Sequence, residues 1–195
     1  MKYSELQRQR EAQLMAARGK SFGEKALDAL AVAGTVASNF GKIAEGYFRK
    51  NPELGIDFRR NVIILNKTPV HSAKTAQLNT IAKQGGPLVA ELIRESQIWM
   101  AERTAALHAM LGTELWLVGY SELRDKKLFC PYRDKLKEAC SPEAWQKVFV
   151  FQHFSMNRFT IDLGDFIKGG KKEKAPLEAN LHELGLLHRK EIFGL

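Results

Sequence analysis

Residues 87–119 read PLVAELIRESQIWMAERTAALHAMLGTELWLVG, and this stretch decides the fold class. It opens with a proline, whose fixed φ and missing N–H suit the first turn of a helix. Gly85-Gly86, immediately before it, is the clearest break in the middle of the chain. Val89, Leu92, Ile93, Trp99, Met100, Leu107, Met110, Leu111, Leu115 and Val118 recur at helical spacing, which marks a broad apolar stripe. As one helix, bent at Gly112, the stretch would run about 45 Å. It predicts a long central scaffold helix over residues 87–119.

Helix signals continue on both sides. Upstream, Leu27, Leu30, Ala33, Ala37, Phe40, Ala44 and Tyr47 or Phe48 predict a buried helix over 22–48. Its contact face is small, with Ala33, Gly34, Ala37, Ser38 and Gly41 at three-to-four-residue spacing. Asn51-Pro52 ends it, because the residue before a proline is pushed out of the helical region. The run Val62-Ile63-Ile64-Leu65 suits a short extended segment, yet no second convincing strand lies nearby to pair with it. A modest helix is expected over 72–83. Downstream, Pro131 starts a short helix to Ala139. Ser141-Pro142-Glu143 combines a capping side chain, proline at the first helical position and an acid at the positive helix end. A helix through Trp145, Val148, Phe149, Gln152 and Met156 is expected to follow. After the polar hinge 168–174, Leu177, Leu181, Leu184 and Leu187 or His188 predict a last amphipathic helix over 176–189.

The fold class is therefore all-α: an irregular bundle of about six to eight helices around one long helix. Three divisions are expected: a polar helical arm over 1–20, a helical core domain over 21–160 and a tail with a short amphipathic helix over 161–195. The arm begins with a capping pattern, Ser4 followed by Gln7, and offers only Leu6, Leu14 and Met15 as an apolar stripe.

The composition agrees with this class. Of 195 residues, 45% are hydrophobic and 27% charged, with 15 Gly and 6 Pro, which excludes wholesale disorder and a collagen-like chain. Lys and Arg number 30 against 22 Asp and Glu, a net charge of +8, which attracts nucleic acid, an anionic surface or an acidic protein. The two cysteines and an N-terminus without a signal-like apolar run point to a reducing intracellular compartment: cytoplasm, mitochondrial matrix or virion interior. The longest quiet apolar run, 29–41, is shorter than the roughly 20 residues a bilayer requires, so no transmembrane segment is expected.

Catalytic motifs are not forthcoming. Gly19-Lys20-Ser21 has the end of a phosphate loop, but Leu14 stands where its first glycine is required. Cys130 and Cys140 are separated by nine residues, the spacing within one arm of a twin CX9C hairpin. On a helix they would sit about 15 Å apart and cannot bridge each other. His71, His108, His153, His182 and His188 lack the spacing of a metal site. No cofactor and no metal are expected.

Cations beside rings are the most suggestive surface feature: Tyr47-Phe48-Arg49-Lys50, Phe58-Arg59-Arg60 and Lys126-Lys127-Leu128-Phe129. Arg49, Lys50, Arg59, Arg60, Lys126 and Lys127, with Lys171 and Lys172 of the hinge, are the candidate polyanion-binding residues. Leu6, Leu14 and Met15 of the arm, and Ile192 and Phe193 near the C-terminus, are candidate protein-interface residues. The function this favours is noncatalytic: a structural or interaction subunit of a larger intracellular assembly, such as a virion or an organelle complex, with other protein subunits as partners. A basic nucleic-acid-binding protein is the alternative, and an enzyme with a dispersed active site the third reading.

Overall fold

The computed structural model describes residues 39–70 and 75–194. In chain order its elements are α1 (Asn39–Lys50), a 3-10 turn (Pro52–Leu54), α2 (Phe58–Asn61), α3 (Thr75–Gln84) and α4 (Gly86–Leu111). Then come β1 (Leu115–Val118), a 3-10 turn (Tyr120–Leu123), α5 (Cys130–Ala139), α6 (Pro142–Trp145) and β2 (Val148–Phe151). A 3-10 turn (Ser155–Asn157), α7 (Arg158–Gly169) and α8 (Leu177–Phe193) complete the chain. The described residues are mostly helical, an all-α architecture around one small parallel sheet. They belong to one compact unit, 38–195. The polar arm with Leu6, Leu14 and Met15, the Gly19-Lys20-Ser21 loop and the first half of the 22–48 helix lie outside the described residues.

The scaffold helix starts where its proline predicts but ends at Leu111, short of residue 119. Gly112 adopts φ 62°, and its N–H donates to the His108 carbonyl at 2.9 Å. This left-handed cap stops the helix instead of bending it. Leu115 to Val118 then form β1, although Leu115 and Val118 fall on the helical spacing. Four residues do not separate the two periods; the pairing partner decides, and it lies in β2, far along the sequence. The expected helix through Val148 and Phe149 is likewise a strand, entered from the single turn of α6. There Ser141 Oγ accepts from the Ala144 N–H at 3.2 Å, as its capping position predicts.

The strands pair in parallel, Leu115 with Val148, Trp116 with Phe149, Leu117 with Val150 and Val118 with Phe151. Parallel neighbours need a long crossover, here the 3-10 turn, α5 and α6. β2 is buried on both faces, the usual condition of a parallel strand, and it divides the core in two. Val148 and Val150, with Leu117, face Ala101 and Ala105 of α4, Tyr132 and Leu136 of α5, and Trp145. Phe149 and Phe151 face an aromatic cluster with Tyr47 and Phe48 of α1 and Phe159 of α7. Ring centroids there lie 4.6 Å apart for Trp116–Phe151 and 4.2 Å for Phe154–Phe159. Each such buried side chain contributes about 1.5–3 kcal/mol.

α8 packs onto β2 through Gly185. A Cβ built there would stand 2.7 Å from Phe149 Cβ and 2.8 Å from Phe151 Cζ, so only glycine permits this approach. Leu181, Leu184 and Ile192 of the same helix are buried, and α7 begins before residue 161. Residues 161–195, expected as a tail with a short amphipathic helix, carry most of α7 and all of α8, with Leu163, Leu181, Leu184 and Ile192 buried. Val62 to Leu65 are unpaired and non-helical, with Val62 extended. Thr68 Oγ1 fastens the segment that follows to α4, 2.7 Å from Ser96 Oγ. Among the described residues no helix is long and apolar enough to cross a membrane.

Candidate functional site

The eight candidate cations are distributed over three places. Arg49 and Lys50 end α1, and Arg59 and Arg60 lie on α2, which packs beside it. Two of these four are engaged by carboxylates: Arg59 Nε lies 2.7 Å from Glu45 Oε1 and Arg60 Nε 3.6 Å from Asp57 Oδ2. Asp57 also caps α2, accepting from the N–H groups of Arg59 and Arg60. Lys126 and Lys127 are exposed in the loop before α5. Lys171 follows α7, and Lys172 pairs with Glu183 while lying over the Phe166 ring at 4.7 Å. Acids thus compete for three of the cations a phosphate backbone would use.

Of the C-terminal interface candidates, Ile192 is buried and Phe193 partly buried. Ile192 belongs to the core, and Phe193 meets the Trp145 ring edge-on at a centroid distance of 4.7 Å. A terminal apolar pair two residues from the chain end suggested exposure, but α8 runs through Phe193 and turns both side chains inward.

Titratable groups gather at both ends of the sheet. At the carboxyl ends, where parallel sheets commonly bind ligands, Lys67 Nζ donates to the Val118 carbonyl at 2.7 Å. Burial holds the Lys67 amine down to about 8. Burial, and then the Lys67 charge, lower the His153 pKa. His153 Nδ1 accepts from the Ser155 N–H at 3.0 Å and lies 2.6 Å from Ser155 Oγ. Its ring covers Gly119, which at φ 83° leaves the room a Cβ would take. His153 and Ser155 are bonded to each other, and among the described residues no hydrogen bond to the other His153 ring nitrogen supplies the third, orienting group of a nucleophile–base chain. Nearby, His188 Nε2 meets Asp162 Oδ2 at 2.8 Å, tying α8 to α7.

At the opposite end, Glu114 holds His182 Nε2 at 2.6 Å and the Trp116 indole N–H at 2.8 Å. A cleft of about 180 Å³ opens here, lined by Leu54, Ile56, Glu114, Trp116 and His182 among others. Small-molecule sites usually enclose roughly 300–1,000 Å³. Among the described residues no group of three His, Cys, Asp or Glu side chains could hold a metal ion. Cys130 and Cys140 stand at opposite ends of α5 as free thiols.

The feature that the sequence reading passed over is the outward side of α4. Ile93, Gln97, Ala101, Thr104, Ala105 and His108 form its buried side. Opposite them, Leu88 is 72% exposed, Leu92 46%, Trp99 49% and Met110 43%. At about 100° per residue, positions 88, 92, 95, 99, 103, 106 and 110 share one sector of the helix. The spacing shows a broad apolar stripe, and the structure divides its residues between two opposite faces of the helix. Arg103 lies over the Trp99 ring, 5.2 Å from its centroid. Comparison with known proteins adds no assignment: no family model, curated protein or solved structure matches the chain.

Proposed function

We propose that the protein is a noncatalytic interaction subunit of a larger intracellular assembly, held through the outward side of α4. The observation that carries this reading is the row Leu88, Leu92, Trp99 and Met110, exposed along the longest helix among the described residues. Scattered single hydrophobics are ordinary on a surface, whereas large apolar side chains aligned on one sector of a helix favour a contact site. Trp is the side chain most enriched among residues that dominate binding energy. The stripe sits on a helix anchored to two other helices and the sheet core, so binding requires little ordering of the backbone.

A photoreactive amino acid placed at Leu92 in cells that make the protein tests it. Covalent adducts from Leu92, and none from the exposed Glu173 loop position, are expected. Absence of adducts from Leu92 under conditions that label other subunits of the assembly contradicts the reading.

A further inference from the structure

We infer that the occupant of this surface is a second copy of the chain, packed antiparallel to the first with a two-fold axis through Trp99. The inference rests on the reading of the outward α4 side as an interface and names its partner. Positions 88 and 110 lie eleven residues either side of 99, positions 92 and 106 seven, and positions 95 and 103 four. Each of these separations is close to a whole number of helical turns of 3.6 residues, which is why all seven positions share a face. A two-fold axis at Trp99 therefore sets Leu88 against Met110, Leu92 against Ala106, Glu95 against Arg103 and Trp99 against itself. Such an interface is isologous, each contact occurring twice.

The charges choose both the partner and its direction. Glu91 is paired with Arg94 at 2.5 Å, and Glu102 with Lys135 at 3.2 Å. Among the described residues Glu95 is in no salt bridge and feels Arg94 only as a neighbouring charge, and Arg103 lies over the Trp99 ring. These two opposite charges lie at mirrored positions. The antiparallel pair joins them twice, and each Arg103 then lies between an indole face and a carboxylate. A parallel pair would set Glu95 beside Glu95 and Arg103 beside Arg103, a like-charge arrangement that disfavours it. The helix, about 39 Å long at 1.5 Å per residue, presents apolar side chains at both ends of the stripe and charges only beside its centre. In coiled coils, flanking charges likewise set partner and orientation.

The test measures the mass of the full chain by light scattering at low and high micromolar concentration. The wild type is expected to approach twice 22.0 kDa as concentration rises. Glu95→Arg and Arg103→Glu, each alone, should weaken association about tenfold or more, and the double variant E95R/R103E should restore it. Circular dichroism checks that each variant keeps its helices. A monomer at all concentrations overturns the inference, as does a double variant no better than the singles. The Leu92 cross-link separates the two claims. An adduct of two copies supports both. An adduct only with a different protein leaves the interface standing and overturns self-association, and the absence of adducts overturns both.

Discussion

The two sides of α4 invert the usual distribution. The buried side carries three polar residues, Gln97, Thr104 and His108, among Ile93, Ala101 and Ala105, while the outward side carries Leu88, Leu92, Trp99 and Met110. Two of the inward polar groups attach particular neighbours. Thr104 Oγ1 donates to the Met100 carbonyl at 2.8 Å and accepts from Tyr132 Oη at 3.1 Å, fixing α5. His108 Nε2 donates to the Ala144 carbonyl at 2.8 Å, fixing α6. The outward apolar groups have no such counterpart among the described residues. Mean apolarity is therefore a poor guide to which side of a helix is core. Small inward residues let α4 approach α5 closely, and the large outward ones are those the proposed interface assigns to a partner.

The comparison breaks most completely with Ala101→Asp. Ala101 is fully buried against the sheet, and an unpaired carboxylate there costs several kcal/mol. Loss of the cooperative transition in urea is the expected result. Tyr132→Phe removes the buried bond to Thr104, with an expected cost of about 1 kcal/mol, read as a lower urea midpoint with unchanged slope. Gln97→Met acts in the other direction. Gln97 Oε1 is buried without a hydrogen-bond partner among the described residues, and a thioether of similar volume should leave stability equal or raise it by up to about 1 kcal/mol. On the outward side, Leu88→Ser with Leu92→Ser should alter the stability of the monomer by only about 0.5 kcal/mol while abolishing association. Equal destabilisation from both sides would remove the distinction.

A separate, pH-dependent prediction concerns Lys67, on the segment that Thr68 fastens to α4. Its folded pKa, about 8, lies below the ordinary 10.5, so between these values the unfolded chain binds more protons. Stability contributed by this group therefore rises as pH increases from about 8 to 10.5, and below 8 the buried charge opposes folding. Against the wild type, Lys67→Met should lack this rise, measured as the difference between the two urea midpoints across that window.

Where local chemistry decides, the sequence was readable. Pro87, Pro131 and Ser141-Pro142 predict the starts of α4, α5 and α6 to within a residue, because caps and proline act on their own turn. The strands were not readable, since Leu115 and Val118 continue a helical spacing and their partners, Val148 and Phe151, are distant in the chain. Gly112, which ends α4, was visible but taken as a bend. Charge was legible as a sum and not as a surface: Arg59 finds Glu45 and Lys172 finds Glu183 only in the fold. Ile192 looked terminal and is core, with Phe193 partly buried against it. The stripe on α4 was seen residue by residue, yet spacing alone does not say which of two apolar sides faces inward.

Disulfide cross-linking between copies tests the central claim most directly, in a Cys130→Ser, Cys140→Ser background that leaves the introduced thiols alone. Positions 92 and 106 are fourteen residues, about 21 Å, apart on one helix, and the two-fold axis brings each against the other in the partner copy. A mixture of Leu92→Cys and Ala106→Cys chains should oxidise to the mixed dimer, with little dimer from either variant alone. No mixed dimer, or equally rapid self-coupling of Leu92→Cys, would contradict the antiparallel contact through α4.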